Sequence, residues 1–177
     1  MKTQLLKTSL ILLGLVFGLI VTSSCSDEDD GGSGGNAASG TVKAKVDGSK
    51  FVSEKISSSL TITDSANGTT MVIVATDSKG RSLTMQIIEG YTGEGNYDIG
   101  GDNTIFVIAS WVEVDINDPF GPQDSWVSPY DGADDAVGFI KINADSGDNI
   151  RGTFEFKAAD DSGDIINVNN GSFNLDY

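Results

Sequence analysis

IRGTFEFKA, residues 150–158, is the stretch that decides the fold. Ile150, Gly152, Phe154, Phe156 and Ala158 fall on one side of an extended chain, and Arg151, Thr153, Glu155 and Lys157 on the other. Side chains of a strand alternate between its two faces, so this register sets an apolar row against a core and a polar row in water. The same period of two recurs along the chain. Val42, Ala44 and Val46 alternate with Lys43, Lys45 and Asp47. Met71, Ile73 and Ala75 run into Asp77-Ser78-Lys79-Gly80, and Leu83, Met85 and Ile87 emerge from it, which predicts a hairpin. Phe139, Ile140 and Ile142 lead to a turn at Asp145-Ser146-Gly147-Asp148, ahead of the strand that holds Ile150. Asp160 to Gly163 makes the next turn; Ile166 and Val168, then Phe173, Leu175 and Tyr177, follow, with Asn169-Asn170-Gly171 read as a turn between them. Gly and Asx supply the positive φ that tight turns need. No run of ten or more residues carries helical spacing. The reading is an all-β domain, a single antiparallel β-sandwich or meandering β-barrel of about nine to ten short strands; both architectures give the same alternation.

One strand breaks the pattern. TIFVIASWVEV, residues 104–114, is apolar on both faces, with Ile105, Val107, Ala109 and Trp111 on one and Phe106, Ile108 and Val112 on the other. A strand with one wet face should alternate, so this one is expected to be covered by a loop or second layer, the alternative being a partner or ligand surface. Glu113 is the acid expected to be partly buried. Next comes DINDPFGPQDSWVSPYDGADD, residues 115–135, with all three prolines of the chain. Loops this long are usually functional, and its aromatics argue against disorder. Two readings stand: a lid packed on the preceding strand, or a binding loop in which Trp126, Tyr130 and Phe120 stack on a sugar or a partner. Trp111 is expected in the core. Asp115, Asp118 and Asp124 are weak candidates for Ca²⁺, since they lack EF-hand spacing and aspartate is also a default turn residue. Asp145, Asp148, Asp160, Asp161 and Asp164 read as turn formers.

The N-terminus is read as a signal. Lys2 and Lys7 precede an apolar run of 12 residues, Leu10 to Val21. That is short of the roughly 20 a membrane span needs. Thr22, Ser23 and Ser24 then precede Cys25, the only cysteine. This order resembles the bacterial lipoprotein signal, although Thr22 stands where Leu is most common. It implies cleavage after residue 24 and lipidation of Cys25, so that acyl chains hold the protein on a membrane. Ser26, Asp27, Glu28, Asp29 and Asp30 follow, and resemble the acidic export tract of Bacteroidota surface lipoproteins. Gly31 to Gly40, GGSGGNAASG, is a flexible tether. The organisation is therefore a signal peptide at 1–24, lipidated cysteine, acidic tract and tether at 25–40, and an all-β domain at 41–177. The implied location is the outer membrane, lipid-anchored and facing the exterior.

Composition narrows the chemistry. Removing Lys2 and Lys7 with the signal leaves 9 bases against 26 acids, a mature charge of −17. Such a field repels nucleic acid. The chain has no histidine, which removes Ser-His-Asp and Cys-His catalysis and His-ligated metals. No cofactor is expected. Asp64-Ser65-Ala66 matches the short O-glycosylation signal of Bacteroidota, making Ser65 a modification candidate, while Asn67 and Asn170 read as turn residues.

AKVDGSKF (44–51), GNYDIG (95–100) and GTFEFKAADDSGDIINVNNGSF (152–173) together resemble a family of uncharacterised Bacteroidota surface lipoproteins. The shared pattern is a strand with Gly152, Thr153, Phe154 and Phe156, then a closing strand with Asn170, Gly171 and Phe173. The resemblance implies an all-β domain and a surface location, and carries no activity. Two function classes follow: a non-catalytic module binding a glycan or protein partner or serving the envelope, favoured here, and a glycoside hydrolase or glycan-processing accessory using paired carboxylates. The latter should show two facing carboxylates in a deep pocket. A binding module should show a shallow aromatic face.

Overall fold

The alternating rows become the strands of one antiparallel sheet, because every apolar row needs the same interior to bury against. The computed structural model describes residues 36–177. The signal segment 1–24, Cys25 and the acids 26–30 lie outside the described residues, which all belong to the unit Ser33–Tyr177. Eleven strands run in order: β1 (Thr41–Val46), β2 (Ser49–Val52), β3 (Ser58–Ser65), β4 (Gly68–Thr76), β5 (Arg81–Ile88), β6 (Gly95–Gly100), β7 (Phe106–Glu113), β8 (Asp124–Ser128), β9 (Ala136–Asp145), β10 (Asn149–Ala159) and β11 (Ile165–Asp176). Their order across the sheet is β2-β1-β11-β10-β8-β7-β5-β4-β3, with β9 on the flank of β10 and β6 beyond β9. The sheet curls into a half-barrel, bringing β3 back beside β11. One 3-10 turn, Lys55–Ser57, links β2 to β3.

The interior is filled by the predicted rows. Val42, Met71, Ile73, Ala75, Leu83, Met85, Ile87, Ala109, Trp111, Ile150 and Ala158 are all buried. Phe51 of β2 meets Trp111 of β7 edge to face, with ring centroids 5.0 Å apart. Arg81 of β5 lays its guanidinium over both rings, 5.9 and 5.8 Å from their centroids. Asp77 holds that guanidinium at 2.6 Å, and Arg81 Nη2 also donates to the Lys50 carbonyl. The pair caps the aromatic core with a charge that is stacked, hydrogen-bonded and neutralised, which a buried cation requires. Asp77 is therefore the buried acid, and Glu113 is exposed; its carboxylate accepts the Trp111 indole N–H at 2.9 Å.

Gly152 and Gly171 have a mutual role. On the β10–β11 ladder Gly152 lies opposite Phe173, and Phe154 opposite Gly171. A Cβ on Gly152 would come within 2.3 Å of the Phe173 ring, and one on Gly171 within 2.5 Å of the Phe154 ring. Each phenylalanine thus covers the glycine of the neighbouring strand, and the two rings stack at 6.4 Å. This packing accounts for the glycine–phenylalanine pattern of both motifs.

Three expectations are corrected. Asn169-Asn170-Gly171 is a β-bulge within a continuous β11, not a turn between strands. The step from Phe154 to Phe156 is matched by Gly171 to Val168, and Asn170 takes φ 52 to absorb the extra residue. Residues 115–135 are not one loop, because β8 forms within them. Ser125-Trp126-Val127 has strand-forming side chains, and β7 offers a free edge, along which Trp126 pairs with Trp111. Finally, no described element covers the second face of β7. Phe106 and Val127 are 59% and 43% exposed, and Ile108 and Val112 are half-buried on the outer surface.

Truncating Trp111 to Ala is expected to cost about 3–5 kcal/mol, as for other buried aromatics. Gly171→Ala is expected to cost about 1–3 kcal/mol through overpacking against Phe154. Phe120→Ala, at a fully exposed ring, should change stability by less than about 0.5 kcal/mol. Urea unfolding of the three variants checks the order.

Candidate binding groove

β10 cannot serve two partners at one point. Its ladder with β9 ends at Phe156–Gly138, and its next pairing on that flank is with β8, at Ala159–Val127. Where the β9 ladder ends, a groove of about 450 Å³ opens, lined from β6, β9, β10 and β11. The strand register dictates its lining. Asp98, Phe139 and Glu155 are cross-strand neighbours on β6, β9 and β10, all pointing outward. Val137, Lys157, Asn167 and Asn169 extend the lining, and Phe156 and Val168 edge it from the core side. Gly138 is forced where the ladder ends, because a Cβ there would sit 2.3 Å from the Glu155 carbonyl.

The ring of Phe139 is half-buried between two carboxylates. Two strand spacings separate the Cα atoms of Asp98 and Glu155 by about 10 Å. Asp98 accepts from the Asn96 side-chain amide, which holds it at the rim. The groove thus offers one aromatic face, two acceptor groups, one ammonium and two amides. Phe139 and Glu155 were visible in the sequence only as members of alternating strands. The signal that marks them is Phe139 on the polar row opposite Ile140 and Ile142, but its partners depend on pairings the sequence does not state.

The aromatic residues singled out in the sequence lie elsewhere. Phe120 is 98% exposed in the connection between β7 and β8. Trp126 is half-buried and packs on the core, and Tyr130 is half-buried just beyond β8. Among the described residues no ring pair joins the three. Asp115 Oδ1 accepts from the backbone and side-chain N–H of Asn117, and Asp124 lies on β8 opposite Glu113. Asp118 is exposed, and its backbone carbonyl accepts the Gly121 N–H. Among the described residues no three His, Cys, Asp or Glu side chains converge as a metal site. Ser65 is exposed at the β3–β4 hairpin, where its hydroxyl donates to the Gly68 carbonyl at 2.9 Å.

A second polar cluster was missed. Asp145 does form its turn, accepting from Gly147 N–H, but it also accepts from the hydroxyls of Tyr91 at 2.7 Å and Tyr177 at 3.2 Å. Tyr91 stacks on Tyr97 with centroids 6.0 Å apart, and Tyr97 donates to the Gly93 carbonyl. The Tyr91 hydrogen bond, then Gly147 N–H, holds the Asp145 carboxyl below its ordinary range. Burial, then the Asp145 carboxylate, pushes the Tyr91 phenol well above its ordinary range. The cluster ties β9 to the segment after β5 and to the end of β11.

Fold and groove together define a class: an all-β half-barrel with an open, aromatic-floored groove on its outer flank. Residues 38–175 match the model of the family described as a domain of unknown function, DUF6252, and the chain belongs to that family. No curated protein and no solved structure matches the chain.

The cluster sets a pH dependence. Asp145 is depressed in the fold, so its contribution is present above the unfolded value of about 3.9 and is lost as pH falls through the folded value. Tyr91 is raised, so its contribution is present below about pH 10 and is lost as pH rises toward the folded value. The stability gap between wild type and Asp145→Asn should shrink as pH falls from neutral through the acid range. The gap to Tyr91→Phe should shrink in strong base. Urea midpoints across pH measure both.

Proposed function

We propose that this protein is a surface-exposed outer-membrane lipoprotein, anchored through Cys25, whose domain is a non-catalytic binding module. The observation that carries the reading is the groove: it is open, it is floored by Phe139, and its two carboxylates rise from one sheet face on either side of that ring. A glycosidase needs its two carboxyl groups to converge on one scissile bond, roughly 5–9.5 Å apart, whereas Asp98 and Glu155 rise from one open sheet face on strands about 10 Å apart. Asp98 and Glu155 are instead placed to accept hydrogen bonds from a ligand resting on the ring. The segment before the domain supports delivery to a surface: a signal with cysteine at the cut, four acids from Asp27 to Asp30, and a glycine-rich tether. Strong acidity keeps such a domain soluble and makes nucleic acid an unfavourable partner.

The test has two arms. The mature protein should partition into detergent, and Cys25→Ser should release it to the aqueous phase; a mutant that is cleaved yet still membrane-bound contradicts the anchor. Soluble polysaccharides and peptides should then be offered to the purified protein and the captured material weighed by mass spectrometry. Recovery of unchanged ligand supports a binder. Recovery of shortened glycan supports the alternative, a carboxylate-dependent glycoside hydrolase.

A further inference from the structure

The groove's chemistry narrows its ligand, on the reading that it is the binding site. We propose that it takes a neutral oligosaccharide, laid across β6, β9 and β10 with a sugar ring on Phe139. Charge disfavours an anionic ligand, and the mix of donors and acceptors in the lining distinguishes the rest. An anionic ligand meets Asp98 and Glu155 on both sides of the ring, within the field of a mature chain at −17. A basic peptide is drawn to the two carboxylates, but its charged groups only donate, and they leave the Lys157 ammonium unmatched. An uncharged ligand that both donates and accepts hydrogen bonds meets neither penalty. Hydroxyls donate to the two carboxylates and accept from the Lys157 ammonium, and the amides of Asn167 and Asn169 do both. Phe139 has no polar atom, so it contributes only its face and edge, which suits the C–H face of a pyranose. Carboxylates on either side of the ring catch hydroxyls at the sugar's two edges. Their spacing of about two strands is wider than one bidentate contact and comparable to a sugar ring with its substituents.

The full chain in detergent micelles is titrated with a panel of neutral oligosaccharides of several backbones, with an oligolysine hexapeptide and with an oligouronate. Some neutral member should bind. Phe139→Ala should weaken it at least tenfold, and Phe139→Leu, which keeps apolar bulk without a ring face, should weaken it as well while leaving the melting temperature close to wild type. Glu155→Gln should weaken it severalfold, and Phe120→Ala should leave it unchanged. Oligolysine or oligouronate bound in preference to every neutral sugar, and lost in Phe139→Leu, overturns the sugar and keeps the groove. Binding that is indifferent to both Phe139 variants overturns the groove itself. No binding of any neutral sugar overturns the proposal.

Discussion

Phe51 and Trp111 touch across the interior, and the curl of the sheet depends on that contact. In the sheet order β2 and β7 are separated by β1, β11, β10 and β8, so a flat sheet would hold their side chains far apart. Curling removes both rings from water at once, and each is fully buried. Arg81 and Asp77 make the arrangement specific: the guanidinium lies on both rings and also grips the Lys50 carbonyl, which links β5 to β2 without a ladder. The Ser53 and Ser58 hydroxyls, 2.6 Å apart, bridge the 3-10 turn that follows β2.

The groove lies at a fork in the sheet. β10 runs through the middle of the sheet with β11 along one edge, but its other edge is shared between β9 and β8. Where the two partners diverge, backbone pairing lapses and outward side chains gain depth around them. The fork leaves the groove, and strand register places Asp98, Phe139 and Glu155 in one row along it. The Tyr91–Asp145–Tyr177 cluster secures the Asp145 end of β9, the strand that carries Phe139.

The fold was legible because period-two burial leaves a direct trace: the rows 71-73-75, 83-85-87 and 150–158 lie inside as read. β8 was not legible, since its five residues are flanked by prolines and aspartates that look like loop. Its strand character comes from the free edge of β7. The bulge at Asn170 was mistaken for a turn because Asn-Gly serves both, and only pairing on both flanks distinguishes them. The sequence marks Trp126 as a binding candidate by its setting in that segment, whereas the strand turns it inward opposite Trp111. Phe139 reads as core in the sequence because it stands beside Ile140. Its exposure depends on the fork, which is a non-local fact.

The central claim is that a ligand sits where β9 leaves β10. Carbodiimide labelling of surface carboxylates, read residue by residue with and without the captured ligand, tests it most directly. The account predicts that Asp98 and Glu155 become protected while Asp115, Asp118 and Asp124 label as before. Protection of Asp115, Asp118 and Asp124 with Asp98 and Glu155 unchanged would contradict it, and would return the binding site to the segment around β8.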